Sequence, residues 1–162
     1  MRTINPEYMK AIRENVNQCP YFSLLSMKLL DFDIGRSLLE ISVGEKHLQP
    51  FGLVHGGVFS SIIDAAAFWS VYGEVDDGAG MTSVDLKLNY LAPAKNGKLI
   101  ARGRKIKLGR TLALGEAEVT DAEGRVLAHG TSTLIVLPNL PLITDGPLPP
   151  KFLGQSPRHI AC

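Results

Sequence analysis

The sequence is poor in the features that mark secreted, membrane-spanning and nucleic-acid-binding proteins. It has two cysteines, Cys19 and Cys162, without the spacing of a metal site, and we expect no disulfide. No run approaches the roughly 20 apolar residues that a transmembrane helix needs, and residues 1–15 lack the apolar core of a signal peptide. The 17 lysines and arginines nearly balance the 16 aspartates and glutamates, so charge does not favour nucleic acid or an anionic membrane as partner. We therefore expect a cytoplasmic protein without membrane insertion, and 162 residues suit one domain.

Motifs of two common enzyme classes are also missing. The sequence has no GxSxG nucleophile elbow. Its four histidines, at positions 47, 55, 129 and 159, are too scattered to predict a metal site. The composition therefore favours neither a serine hydrolase of the elbow type nor a metalloenzyme.

One long apolar segment dominates the first half of the chain. Residues 58–72 hold no charge except Asp64, and their length and alanine content favour a helix. A helix that is apolar on nearly all sides is a buried one. An ionised carboxylate in such surroundings costs several kcal/mol of desolvation unless it is paired or hydrogen-bonded, so Asp64 needs a structural or a functional reason.

The residues before this segment predict one helix and two strands. An Asn-Pro start and a Cys-Pro end predict a short surface helix over residues 5–18. Residues 27–32 and 37–43 form two short apolar runs, which predict a strand pair with a turn at Gly35.

The second half of the chain predicts four more strands. From Thr82 to Tyr90 apolar residues alternate strictly with polar ones, which is the pattern of a half-buried strand. The turn signals Asn96-Gly97, Gly109-Arg110 and Glu123-Gly124 separate three further runs, over residues 98–108, 111–120 and 126–137. Small side chains on one face of the 111–120 run would let a helix lie close against the sheet. Six strands with one buried helix between the second and the third suggest a curved antiparallel sheet wrapped around that helix.

Three segments together resemble the PaaI-like branch of the hotdog-fold acyl-CoA thioesterases. They read HLQPFGLVHGGVFSSIIDAAA, TSVDLKLNYLAPA and GRKIKLGRTLALGEAEV. The resemblance implies an α+β hotdog fold, a curved antiparallel six-stranded sheet wrapped around one long central helix. It also implies hydrolysis of aryl- or medium-chain acyl-CoA thioesters to the free acid and CoA, with no cofactor and no metal, since coenzyme A is part of the substrate.

The resemblance divides the chain into three parts. Residues 1–20 would be an N-terminal helical extension and residues 21–137 the hotdog thioesterase domain. Residues 138–162 contain six prolines in 25 residues and predict an irregular or disordered tail. We expect that this tail can be removed with little effect on folding or hydrolysis.

The resemblance assigns the central chemistry to the apolar helix. Thioester hydrolysis passes through a tetrahedral intermediate with negative charge on the former carbonyl oxygen, and free N–H groups at a helix N-terminus stabilise that charge. Gly56 and Gly57 match the glycines that supply such groups. Asp64 matches the family's acid, which acts as nucleophile or general base.

Five further residues match family positions or regions. Gln49 would orient the water or the thioester, Ser83, on the polar face of its strand, would help to hold the water, and His55 would shape the turn. Lys107 and Arg110 lie in a basic stretch that would bind the phosphates of CoA, although exposed basic residues at a strand edge are equally an ordinary solvated surface.

Helix geometry makes the site a shared one. A helix that starts near Gly56 places Asp64 about 12 Å further along its axis, too far to act on the same carbonyl within one subunit. Members of the family form two-fold dimers with their long helices side by side, so the resemblance implies a homodimer or a dimer of dimers in which Gly56 and Asp64 come from different chains.

Two alternative functions remain open. A hotdog domain can bind acyl-CoA without hydrolysing it, although the presence of Asp64, Gly56 and Gln49 argues against this. A hotdog hydratase or dehydratase would need a His-Asp motif that is absent here. One departure also matters, because the branch most often has Asn where this chain has Gln49, and this leaves the acyl group that fits and the role of Asp64 open.

Overall fold

A six-stranded antiparallel sheet curves around one buried helix. The computed structural model describes residues 2–154. Its helices are α1 (Pro6–Gln18), α2 (Pro20–Leu25) and α3 (Gly56–Tyr72), and its strands are β1 (Met27–Asp33), β2 (Arg36–Ser42), β3 (Gly80–Tyr90), β4 (Lys98–Leu108), β5 (Leu112–Thr120) and β6 (Val126–Leu137). The strand order is β1-β2-β4-β5-β6-β3, and every neighbouring pair is antiparallel. This architecture confirms the predicted hotdog fold.

Helix α3 lies in the concave side of the sheet because glycines let the two backbones meet. A Cβ atom on Gly115 would lie 2.6 Å from the carbonyl oxygen of Ala67, and one on Gly103 would collide with the carbonyl of Ala66. The Oγ of Ser37 donates a hydrogen bond of 2.6 Å to the same Ala66 carbonyl. The prediction of a close approach at β5 is thus confirmed, and β4 makes a second one.

Helix α1 is more than a surface helix. Asn5 caps its start, because the Asn5 side chain accepts a hydrogen bond of 3.0 Å from the Glu7 N–H. One face buries Tyr8, Ile12 and Val16 in the main core. The prediction of a surface helix was therefore wrong for this face, since the pattern of one helix does not show that another element will cover it.

The edge strand β1 is tied to α1. The side chain of Asn17 accepts from the Leu29 N–H at 2.7 Å and donates to the Leu29 carbonyl at 3.1 Å. These two bonds occupy backbone groups that an edge strand would otherwise leave open.

None of the helices within residues 2–154 is long and apolar enough to cross a membrane.

The segment after β6 is irregular but packed. Phe152 forms a β-bridge with Ile4, and both side chains are buried. Lys151 is fully buried, and its Nζ donates to the carbonyls of Tyr72 and Val75 at the C-terminal end of α3, at 2.7 Å each. These contacts contradict the expectation that the whole tail is dispensable for folding. Cys162 lies outside the described residues.

Candidate active site

The carboxylate of Asp64 is held by two serine hydroxyl groups. Asp64 lies half-buried in the middle of α3. Its Oδ1 accepts hydrogen bonds from Ser83 Oγ at 2.7 Å and from Ser132 Oγ at 2.8 Å. No cation among residues 2–154 forms an ion pair with it. The two hydroxyl groups offset part of the desolvation cost and leave Oδ2 without a protein partner in the same residue range.

A β-bulge aims Ser83 at this carboxylate. The register of β3 against β6 shifts between Ser83 and Asp85. Ser83 pairs with Leu134, which is fully buried on the helix side of the sheet. The assignment of Ser83 to the polar face of a strictly alternating strand was therefore wrong, because the extra residue in the bulge reverses the alternation.

Ser132 is a site residue that the sequence interpretation missed. It lies on β6 and is fully buried, on the same face of the strand as Leu134 two residues later. A serine at an inward position of an otherwise apolar strand face needs a hydrogen-bond partner, and this could have identified it. What no local pattern reveals is that the partner is 68 residues away along the chain.

The N-terminus of α3 exposes one free backbone donor. The Nδ1 of His55 accepts from the Gly57 N–H at 2.8 Å, so the His55 side chain caps the helix. This bond occupies the Gly57 donor. The neighbouring Gly56 N–H has no acceptor among residues 2–154. The structure thus gives His55 a capping position, in line with the expected shaping of the turn.

The loop before α3 is fixed by a buried histidine that the sequence did not single out. The Nδ1 of His47 accepts from the Gly44 N–H at 2.8 Å, and its Nε2 therefore donates to the Leu25 carbonyl at 2.7 Å. Its own carbonyl accepts from the His55 N–H at 2.8 Å. His47 thus joins α2 and the loop to the start of the long helix.

Gln49 follows directly in this loop. Its side-chain oxygen accepts from the Phe51 N–H, and its backbone N–H donates to the Leu53 carbonyl at 2.8 Å. Gln49 makes no hydrogen bond with Asp64 in the described part of the chain. Gly56 and Asp64 are also apart, since eight residues of helix correspond to about 12 Å. Within one chain these two groups are therefore separate.

An apolar cavity of about 360 Å³ lies beside Asp64. Phe68 and Trp69, which follow Asp64 by about one helical turn, line it together with Met27 and Leu86. Phe59 does not line it and packs instead against the Tyr90 ring, with centroids 6.1 Å apart. An acyl group bound here would have its carbonyl carbon near a carboxylate.

The basic residues Lys107 and Arg110 lie at the other end of the helix. Both are exposed, and Arg110 borders a larger cavity of about 1140 Å³ at the C-terminal end of α3, together with Glu74 and Asp77. The 17 residues of α3 span about 25 Å, so these cations are remote from Gly56 of the same chain. This larger cavity is therefore not the one beside the candidate catalytic acid.

The sequence and the fold are similar to those of known thioesterases. Residues 51–128 match the family model described as the thioesterase superfamily. A putative esterase from Haemophilus influenzae is 30% identical over 129 residues, covering 76% of this chain and 92% of that protein. Human acyl-coenzyme A thioesterase 13 is 31% identical over 101 residues, covering 61% and 71%. The crystal structure of a Haemophilus influenzae thioesterase superposes with a TM-score of 0.76 at 22% identity, covering 85% and 95% of the chains. The chain therefore belongs to the thioesterase superfamily of hotdog-fold thioester hydrolases.

Proposed function

We propose that this protein hydrolyses acyl-CoA thioesters with Asp64 as the nucleophile or general base. The observation that carries the proposal is a half-buried carboxylate at the wall of an apolar cavity, with no ion-pair partner among residues 2–154. An unpaired charge at such a place costs stability, and a chemical role accounts for its retention. The name of the human relative, an acyl-coenzyme A thioesterase, supports acyl-CoA as the substrate class.

The hydrogen bonds of Asp64 suggest which oxygen reacts. Ser83 and Ser132 both bind Oδ1, so Oδ2 is left to attack the thioester carbonyl or to accept a proton from an attacking water. Either route forms a tetrahedral oxyanion, which a free helix N–H such as that of Gly56 stabilises. Collapse of the intermediate breaks the carbon–sulfur bond and releases CoA as the thiolate, which takes up a proton. The nucleophilic route leaves a mixed anhydride of Asp64 and the acyl group, which water then hydrolyses to the free acid and Asp64. Solvent oxygen found in Asp64 after one turnover in ¹⁸O-labelled water would identify this route, because the general-base route labels only the product acid.

The complete site requires a second copy of the chain. The free Gly56 N–H and the Asp64 carboxylate are too far apart in one subunit, whereas two antiparallel helices bring Gly56 of one chain beside Asp64 of the other. The free edge of the sheet at β3 exposes Val84 and Tyr90, apolar side chains that such a contact would cover. We therefore propose a homodimer, or a dimer of dimers, with two equivalent sites.

The same pairing gives a position for the CoA phosphates. In the proposed antiparallel pair, Asp64 of one helix lies beside Gly56 of the other. The first helix continues for eight residues beyond Asp64 to Tyr72, so its C-terminal end extends about 12 Å past that Gly56. The Lys107 and Arg110 region lies at that end of the helix. The pantetheine arm of CoA is long enough to separate the thioester from its phosphates, so these two residues are the proposed phosphate ligands.

Replacement of Asp64 by Asn tests the catalytic assignment. Asp64→Asn keeps the size of the side chain but removes its charge and basicity, so kcat should fall at least about a hundredfold. The melting temperature should not fall, because the desolvation cost of the charge disappears with it. Free-thiol release from acyl-CoA measures the rate, and Asp31→Asn, at an exposed position on β1, is the matched control. A parental rate combined with a lower melting temperature would give Asp64 a structural role only, and an inactive parent that binds acyl-CoA would favour the non-catalytic alternative.

Mixing two inactive variants tests the shared site. Gly56 is the first residue of α3, where proline fits, and the extended His55 before it tolerates a following proline. Gly56→Pro therefore deletes the proposed donor N–H with little change in backbone. Its Cβ would lie 2.9 Å from the Tyr90 hydroxyl, so the exposed Tyr90 side chain must shift. Random reassembly of Gly56→Pro with Asp64→Asn should restore about a quarter of parental activity, because half of the dimers then carry one complete site. No recovery from a mixture shown to exchange subunits would place both groups in one chain.

A further inference from the structure

The cavity beside Asp64 has one wall from outside the thioesterase family match. Tyr21 and Phe22 line it from the short helix α2, whereas the match begins at residue 51. Phe22 is buried, while Tyr21 is 54% exposed and so lies at the rim. The size of the cavity, about 360 Å³, is near the lower end of the range for small-molecule sites.

A hydrogen bond holds the Tyr21 ring over helix α3. The hydroxyl groups of Tyr21 and Ser61 are 2.6 Å apart. Ser61 also donates to the Gly57 carbonyl at 2.8 Å, which uses its only hydroxyl proton. Tyr21 is therefore the donor to Ser61 Oγ. Because Ser61 precedes Asp64 by nearly one helical turn, this bond fixes an aromatic ring on the solvent side of the cavity, next to the carboxylate.

From this arrangement we propose that Tyr21 limits the size of the acyl group that the enzyme accepts. The inference rests on the proposed acyl-CoA hydrolysis, with the acyl group in the 360 Å³ cavity. Phe22, Phe68 and Trp69 close the cavity on the protein side, and the Tyr21 ring narrows its open side. Short acyl groups fit within these four aromatic side chains. Longer chains must pass the position of the ring, which its hydrogen bond to Ser61 keeps in place.

Truncation of Tyr21 measures this limit. The assay compares kcat/KM for dodecanoyl-CoA with kcat/KM for hexanoyl-CoA by free-thiol release. Tyr21→Ala should raise this ratio at least about tenfold, the effect of a few methylene groups in an apolar pocket. Leu24→Ala is the matched control, because Leu24 lies on the same helix, is 65% exposed and does not line the cavity. An unchanged ratio in Tyr21→Ala, or an equal change in Leu24→Ala, would overturn the proposal.

A conservative variant gives an independent result should Tyr21→Ala not fold. Tyr21→Phe removes only the hydroxyl group that holds the ring to Ser61, so the same ratio should rise several-fold, and an unchanged or lower ratio would refute the size limit. Asp64→Asn separates this inference from the proposed function. If Asp64→Asn abolishes hydrolysis of hexanoyl-CoA but the Tyr21 variants keep the parental ratio, only the size limit is refuted. If the parent hydrolyses neither acyl-CoA, the proposed function fails with it.

Discussion

The buried lysine of the tail predicts that the stability of this protein increases between pH 7 and pH 9. Lys151 Nζ donates to the carbonyls of Tyr72 and Val75 and lies 4.0 Å from the centre of the Tyr72 ring. Burial lowers the pKa of Lys151 from 10.5 to about 7, although the carboxylates of Asp77 and Asp76 oppose this shift. A neutral amine has two N–H groups, which match the two carbonyls.

The sign and size of the effect follow from proton linkage. Between pH 7 and pH 10.5 the unfolded chain binds more protons than the folded one, so the free energy of unfolding rises with pH in this window. A full difference of one proton corresponds to about 1.4 kcal/mol per pH unit. The gain from pH 7 to pH 9 should be about 2 kcal/mol, since the folded lysine is still half protonated at pH 7. Tyr8 and Tyr72 do not contribute, because burial raises the pKa of each above its usual 10.

Urea unfolding at pH 7, 8 and 9 measures this slope. Lys151→Met should lose it, so that the difference between the parent and the variant increases by about 2 kcal/mol across the window. Its absolute stability should also be lower, since two buried carbonyls lose their donor. Lys28→Met, at an exposed position on β1, should keep the parental slope. A parent with a flat or falling stability between pH 7 and pH 9 would refute the reasoning.

Two further predictions concern the second serine and the tail. Ser132→Ala should lower kcat about tenfold, because the Asp64 carboxylate loses one of its two hydroxyl donors; an unchanged kcat would show that Ser132 is only a packing residue. Ending the chain after residue 137 should lower the melting temperature in calorimetry by several degrees, because Lys151 and Phe152 are buried. A melting temperature equal to that of the parent would restore the expectation of a dispensable tail.

The sequence by itself determined the order and type of the main elements. Residues 58–72 predicted the long helix, and α3 begins only two residues earlier, at Gly56, because His55 caps it. The turns predicted near Gly35, Gly97 and Gly124 exist, and each of these glycines has a positive φ. Such features depend on the periodicity and conformational range of neighbouring residues, and these properties are visible in a linear pattern.

Only part of the candidate site could be predicted from local sequence patterns. The spacing of Gln49, Gly56 and Asp64 predicted a site on α3 and the loop before it, because these residues are close in sequence. The contact between Ser132 and Asp64 joins positions 68 residues apart, and it exists because β6 and α3 pack face to face. Ser83 reaches the same carboxylate only through a bulge in β3, and no local pattern of polarity shows where a ladder gains an extra residue.

Only the tertiary structure decided how residues near the two ends of the chain contact α3. Tyr21 reaches the cavity and Lys151 reaches the end of α3 because α2 and the tail pack against a helix that lies far from both in sequence. A tyrosine near a proline and a lysine in a proline-rich tail look like surface residues in any local window. Their positions depend on which surfaces, distant in sequence, pack together in the core. This packing decides which apolar side chains are buried and which buried polar groups need hydrogen-bond partners.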